Sequence, residues 1–140
     1  MILRVDISSS VPVYAQIIAQ VKRAIASGVM RPGEFLPSLR DAAGTLRINP
    51  LTVAKAYREL EVMGLVRTDH GKGTYVIHEA ARISREQRRD ELLRLADQLV
   101  IEGYHLGANA EEIKGAVDER LTEMRPEFET RDARMEEKDG

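Results

Sequence analysis

Apolar and polar residues alternate with a helical period in the first part of the chain. Ile17, Val21 and Ile25 are spaced four residues apart, and between them lie charged side chains. This stripe predicts a first helix over 13–27, which Gly28 would end. The pattern is typical of a surface helix that buries one face.

Two shorter helices are predicted next, separated only by a tight turn over 47–49. Ser38 is a hydroxyl residue that follows a proline, and it suits the N-cap of the second helix. Asn49 suits the N-cap of the third helix, with Pro50 at its first position and Gly64 at its end. The two helices therefore form a helix-turn-helix unit.

Two short strands are predicted after the third helix, over 65–68 and 74–77. The connecting residues 69–73 contain two glycines, which supply the positive φ angles of a hairpin tip. Helix, turn, helix and hairpin in this order predict a winged helix-turn-helix. Its second helix fits the major groove of DNA. The fold class is thus mainly α with a small β-hairpin.

Beyond Glu79 the pattern is helical, without strand signals. Helices are predicted over 81–102 and 111–124, with a break at 103–108. The tail over 125–140 has little to bury and is predicted to be disordered. The domain prediction is a winged helix-turn-helix over 1–78, a two-helix segment over 79–124, and this tail.

The two C-terminal helices carry apolar stripes that two short helices can hardly bury by themselves. Pairing with the same surface of a second copy would cover them, because homodimers are the commonest oligomers. The alternative is that the helices pack back onto the N-terminal domain in a monomer. The predicted dimerisation residues are Leu92, Leu95, Ala96, Leu99, Val100, Ile113, Val117 and Leu121.

The net charge of −2 hides an asymmetry between the two parts of the chain. Residues 1–78 hold ten Lys/Arg and six Asp/Glu, a balance of +4, and residues 79–140 hold eleven and seventeen, a balance of −6. This split favours a nucleic-acid-facing N-terminal part and a C-terminal part with another role.

Composition excludes several other classes of protein. There is no cysteine, and the three histidines lack metal-ligand spacing, so no metal site is predicted. No nucleophile–base signature and no phosphate-binding glycine loop occurs, which predicts neither an enzyme nor a cofactor. No apolar run approaches the roughly 20 residues of a membrane span, and the start does not resemble a signal peptide. We therefore expect a cytoplasmic protein without a membrane partner.

The segments PVYAQIIAQVKRAIASGVMRPGEFLPSLRDAA and NPLTVAKAYRELEVMGLVRTDHGKGTYV resemble the DNA-binding domain of the GntR family of bacterial transcription regulators. The resemblance is colinear over 12–77, and the short C-terminal part is similar to that of the YtrA subfamily. Two positions depart from the family pattern. Arg47 stands where the family often has Gly, and Leu51 stands where Asn is common. The sequence preference of relatives therefore cannot be transferred to this chain.

A protein that recognises a DNA sequence uses cations and small polar groups to contact phosphates, and a few side chains to contact base edges. Arg40 matches a family position that contacts DNA; its alternative is an ion pair with a nearby carboxylate. At the third helix the candidates are Asn49, Leu51, Thr52 and Lys55, with Arg58 further along, and Arg47 lies just before it. The resemblance implies that a wing tip of His70, Gly71 and Lys72 reaches the minor groove or its phosphates.

Three of these positions have competing interpretations. Thr52 could instead form a local backbone hydrogen bond. Leu51 could be merely exposed or packed, or it could contact a thymine methyl group. The wing tip could be a flexible turn with incidental charges.

The predicted function is a homodimeric, sequence-specific transcription regulator of double-stranded operator DNA, most often a repressor in relatives. A dimer would place two recognition helices about 34 Å apart on a palindromic site. The alternatives are a non-specific, architectural DNA binder and a winged-helix module for protein interactions. A small-molecule effector stays unidentified, because the C-terminal part carries no evident charged or aromatic cage.

Overall fold

The computed structural model describes residues 2–77 and 84–124, together with Phe128. The chain divides into two compact units, residues 1–80 and 81–140, which are described separately here. The predicted boundary at residue 78 and the predicted tail over 125–140 lie outside the described residues, apart from Phe128.

The first unit contains three helices and a two-stranded antiparallel hairpin, in an order that confirms the predicted fold class. The elements are α1 Val13–Ala26, α2 Leu39–Leu46, α3 Pro50–Val62, β1 Val66–Asp69 and β2 Gly73–Val76. The second unit contains α4 Arg85–His105 and α5 Ala110–Glu123.

Side-chain caps begin three of the helices where the sequence predicted. The Ser38 hydroxyl accepts the Asp41 N–H at 3.0 Å, and the Asn49 side chain accepts the Leu51 N–H at 2.9 Å. Asn109 does the same at the start of α5. A polar side chain that satisfies an otherwise unpaired N–H sets the first residue of a helix locally, which is why these starts were predictable.

The core of the first unit lies between α1, α3 and the hairpin. Ile17, Val21, Val53 and Leu60 are completely buried, and Tyr57 is nearly so. The Tyr57 hydroxyl donates a hydrogen bond to the Pro37 carbonyl at 2.8 Å, which ties α3 to the segment before α2. α3 thus packs with one face and leaves its other face exposed.

Met63 directly follows the last residue of α3. It is the C-cap, at the point where the helix ends, and it is 49% exposed.

The hairpin pairs Val66 with Val76 and Thr68 with Thr74, so both strands lie within one residue of their predicted positions. Val66 and Val76 point into the core, and the two threonine hydroxyls lie 2.9 Å apart. The segment over 33–36 runs alongside β2, because its backbone exchanges hydrogen bonds with Thr74 and Val76. The hairpin is therefore anchored on both sides, and its tip projects beyond these bonds.

In the second unit, the helix start and the predicted break differ from the sequence prediction. Ser84 and Gln87 form a reciprocal capping box, so α4 begins at Arg85 and not at Ala81. Gly103 was predicted to break the helix, and this is wrong: α4 continues through it to His105. A Cβ at Gly103 would lie 2.8 Å from Ile113 Cδ1, so the glycine serves the close approach of α4 and α5. The left-handed residue that ends the helix is Gly107, with φ of 80°.

Candidate nucleic-acid interface

The connection between α2 and α3 is closed by a left-handed residue. Arg47 caps α2 with φ of 57° and ψ of 48°, and its N–H donates to the Ala43 carbonyl. Ile48 donates to the same carbonyl at 3.1 Å. This turn reverses the chain within three residues and sets the start of α3 beside α2, while the Arg47 side chain remains exposed.

Four predicted DNA-binding cations, Arg40, Arg47, Arg58 and Lys72, are exposed and form no ion pair with any described residue. The alternative interpretation of Arg40 was an ion pair with a nearby carboxylate. The described part of the chain contains no such ion pair. In α4 and α5, Arg94, Lys114 and Arg120 pair with glutamates of their own helix. Unpaired cations keep their attraction for an anionic partner such as phosphate.

The first turn of α3 presents a mixed polar and apolar surface. The side-chain oxygen of Asn49 accepts the capping hydrogen bond, so its amide nitrogen remains available to donate a hydrogen bond to a partner. The half-buried Thr52 makes no side-chain hydrogen bond within the described residues, in contrast to its alternative interpretation. Leu51 is 72% exposed, which rules out packing in the core.

Lys55 has an intramolecular partner that the sequence did not indicate. Its ammonium nitrogen lies 3.7 Å from the centroid of the Tyr14 ring, which belongs to the first turn of α1. Such a cation–π contact holds a long side chain in one place and leaves the charge unneutralised. Tyr14 lies 41 positions away along the chain, so no local pattern could have revealed the pair.

The hairpin tip has the backbone geometry that its glycines predict. Gly71 and Gly73 have φ of 83° and 117°, and the Lys72 N–H donates to the Asp69 carbonyl at 3.1 Å. His70, Gly71 and Lys72 are all exposed.

A crevice of about 370 Å³ separates the tip from α3. It is lined by Leu39, Ala54, Tyr57, Arg58, Glu61, Thr68, His70 and Thr74. It brings Arg58 of α3 and His70 of the hairpin to one opening. Thr68 and Thr74 of this crevice were missed by sequence reasoning, because only the pairing of the strands places them beside α3.

The residues predicted for dimerisation are largely exposed within the second unit. Leu92, Leu95, Leu99 and Val100 are between 43% and 60% exposed, and Val117 and Leu121 are 40% and 44% exposed. Ala96 is also exposed, while Ile113 is half-buried against Gly103. Further exposed apolar side chains were not predicted, and they are Leu93, Ile101, Tyr104 and Leu106. Gly103 is the one buried residue among those described in α4 and α5.

An apolar groove of about 270 Å³ lies between α4 and α5. Its lining includes Leu99, Val117 and Leu121 from the predicted stripe, together with Ala116, Arg120, Met124 and Phe128.

Within the described ranges, no group of three or more His, Asp or Glu side chains could hold a metal ion. The helices described here are all too short or too polar to cross a membrane.

Comparison with known proteins decides the family. Residues 13–76 match the family described as bacterial regulatory proteins, gntR family. The HTH-type transcriptional repressor YtrA of Bacillus subtilis is 38% identical over 111 residues, which cover 79% of this chain and 85% of that protein. This chain belongs to the GntR family.

Solved structures agree with this membership. A transcriptional antiterminator from Listeria monocytogenes superposes with a TM-score of 0.71 at 32% identity, covering 86% of this chain and 90% of its own. YtrA from Sulfolobus acidocaldarius, a GntR-family transcription factor, superposes with a TM-score of 0.55 at 34% identity, covering 69% and 99%. The predicted similarity to the YtrA type is confirmed.

As a GntR-family member the protein is a DNA-binding transcription regulator and not an enzyme. Within that role, the DNA contacts and the dimer contacts of individual residues stay predictions.

Proposed function

We propose that the protein is a homodimeric repressor that binds a palindromic operator through α2, α3 and the hairpin. The observation that carries this proposal is the set of exposed cations on the helix-turn-helix and the hairpin that have no acidic partner among the described residues. In this arrangement the first turn of α3 enters the major groove, and the wing tip reaches the adjacent minor groove. A regulator of this kind would act on DNA in the cytoplasm.

Every predicted DNA residue except Leu51 has a role in this part of the proposal. Arg40, in the first turn of α2, and Thr52, in the first turn of α3, would each contact a base or a phosphate. Lys55, Arg47 and Arg58 would neutralise phosphates on either side of the groove, and Asn49 would donate its amide. The tip residues His70, Gly71 and Lys72 would follow the backbone across the minor groove.

A second proposal concerns the partner of α4 and α5. Exposed leucines and valines on both helices, with the groove between them, favour coverage by the same helices of a second copy. Burying the remaining apolar surface of each half-exposed leucine would contribute roughly 1 kcal/mol or more, and a symmetric dimer would bury it. The groove between α4 and α5 shares Leu99, Val117 and Leu121 with the predicted dimerisation residues. A second copy bound to these residues would therefore also fill the groove and leave no room there for an effector.

The DNA proposal is tested by selecting bound sequences from random DNA and measuring affinity in a shift assay. Arg40→Ala and Thr52→Ala should each weaken binding to the selected operator by about tenfold or more. Lys22→Ala removes one exposed positive charge from α1, outside the proposed surface, and should leave the affinity within about twofold.

Three results would contradict the operator proposal. Unchanged binding in both the Arg40 and Thr52 variants would refute the site. Equal affinity for selected and random DNA would favour an architectural binder. No binding at low salt would instead favour a module for protein interactions.

The dimer is tested by size-exclusion chromatography with light scattering. The full chain should elute as a dimer at micromolar concentration, and Leu99→Glu should shift it to monomer because a charge replaces an apolar contact. The matched control is Gln98→Glu, which places the same charge on the polar stripe of α4 and should leave the dimer intact. A monomeric wild-type chain would reject the proposal.

A further inference from the structure

Leu51 lies in the first turn of α3. It is the second residue of the helix, after Pro50, and its N–H is held by the Asn49 side chain at 2.9 Å. The cap and the proline fix the backbone of this turn, so the direction of the Leu51 Cα–Cβ bond is fixed as well. The first turn of a recognition helix is the part that enters the major groove.

The side chain has no structural role in the folded unit. The buried face of α3 consists of Val53, Ala56, Tyr57 and Leu60, and Leu51 lies 72% exposed away from it. A single exposed leucine is ordinary on a protein surface. Its place here is not ordinary, because Thr52 follows it directly and Lys55 lies about one helical turn further along the helix proposed to face DNA.

A leucine side chain can neither donate nor accept a hydrogen bond, so a favourable contact with a base edge has to be an apolar one. The C5-methyl group of thymine is the apolar group that the major groove displays. We propose that Leu51 contacts the C5-methyl group of a thymine in each operator half-site and makes that position selective for thymine. This inference rests on the proposed function, and it names one determinant of operator sequence.

The test removes that methyl group from the DNA and leaves the protein unchanged. In the selected operator, each thymine is replaced in turn by deoxyuridine, which differs from thymidine just by the C5-methyl. One position per half-site should lose affinity about fourfold, the value for one buried methyl-sized group. Symmetric replacement in both half-sites should cost about fifteenfold.

Protein variants then assign the contact to a side chain. With Leu51→Ala, the thymine and uracil operators should bind equally, because the group that met the methyl is gone. Thr52→Ser keeps the hydroxyl and loses the methyl of the neighbouring residue, and it should preserve the full uracil penalty. Leu51 is exposed, so its truncation should leave the thermal midpoint unchanged.

The outcomes separate this inference from the function on which it rests. Specific operator binding without any uracil-sensitive position overturns the Leu51 contact alone. A uracil penalty that persists in Leu51→Ala, or that disappears in Thr52→Ser, also overturns it. Failure to select any preferred sequence overturns the proposed function and this contact together.

Discussion

Replacing Arg47 by glycine should make the protein more stable and its DNA binding weaker. Arg47 is the one described non-glycine residue with a positive φ, at 57°. A left-handed conformation costs an L-residue about 1–2 kcal/mol, which glycine does not incur. Glycine also lowers stability by about 0.4–1 kcal/mol, since it loses more backbone entropy on folding.

The difference between these two effects predicts a net stabilisation of about 0.5–1 kcal/mol for Arg47→Gly. The thermal midpoint should rise by roughly 3 °C, measured by circular dichroism. Arg47→Ala is the matched control, because it removes the same charge and keeps the strained backbone. It should melt close to the wild type, since the Arg47 side chain is exposed and has no ion-pair partner among the described residues.

Binding should change in the same way in both variants. Loss of one phosphate contact per subunit makes the plot of log affinity against log salt shallower by about 0.9 per subunit. If Arg47→Gly is no more stable than Arg47→Ala, the strain argument is refuted. If the salt slope is unchanged in both, Arg47 does not contact a phosphate.

Three further experiments test ionisation, helix packing and the cation–π contact. Burial raises the pKa of Tyr57 to about 12, so this tyrosine contributes stability that is full below pH 10 and is lost as pH rises towards 12. In urea unfolding, the advantage of wild type over Tyr57→Phe should therefore shrink between pH 10 and 12, and a constant gap would contradict the assigned cause. In the wild type, Gly103→Ala should lower the free energy of unfolding, because the new methyl group would contact Ile113. In the Ile113→Ala background the same change should raise the free energy of unfolding by about 1 kcal/mol, because alanine has the higher helix propensity. Destabilisation in both backgrounds would refute the close-approach explanation. Tyr14→Leu and Lys55→Met should couple by about 0.5–1 kcal/mol in a double-mutant cycle, whereas additivity would mean that the cation–π contact has no energetic effect.

Local chemistry explains which parts of the fold were predictable. Helix starts at Ser38, Asn49 and Asn109 depend on a side chain and an N–H two or three residues away. The capping box at Ser84 is equally local, and its Ser-x-x-Gln spacing could have placed the start of α4 correctly. The hairpin followed from alternating residues and two glycines, with an error of one residue in the strand ends.

Gly103 shows where sequence reasoning failed. Within one chain segment, a glycine is equally consistent with a helix end and with a tight helix contact. The contact with Ile113 on another helix decided between them.

The sequence by itself determined the family, the order of the elements and the residues that could meet DNA. These properties follow from periodicity, caps and turns, which act over a few residues. The tertiary structure decided which candidates are available for binding. Among the described residues it left Arg40 and Arg58 without acidic partners, and it placed Lys55 on the Tyr14 ring and exposed Leu51. Pairing and exposure depend on side chains distant in sequence, and folding alone brings those together.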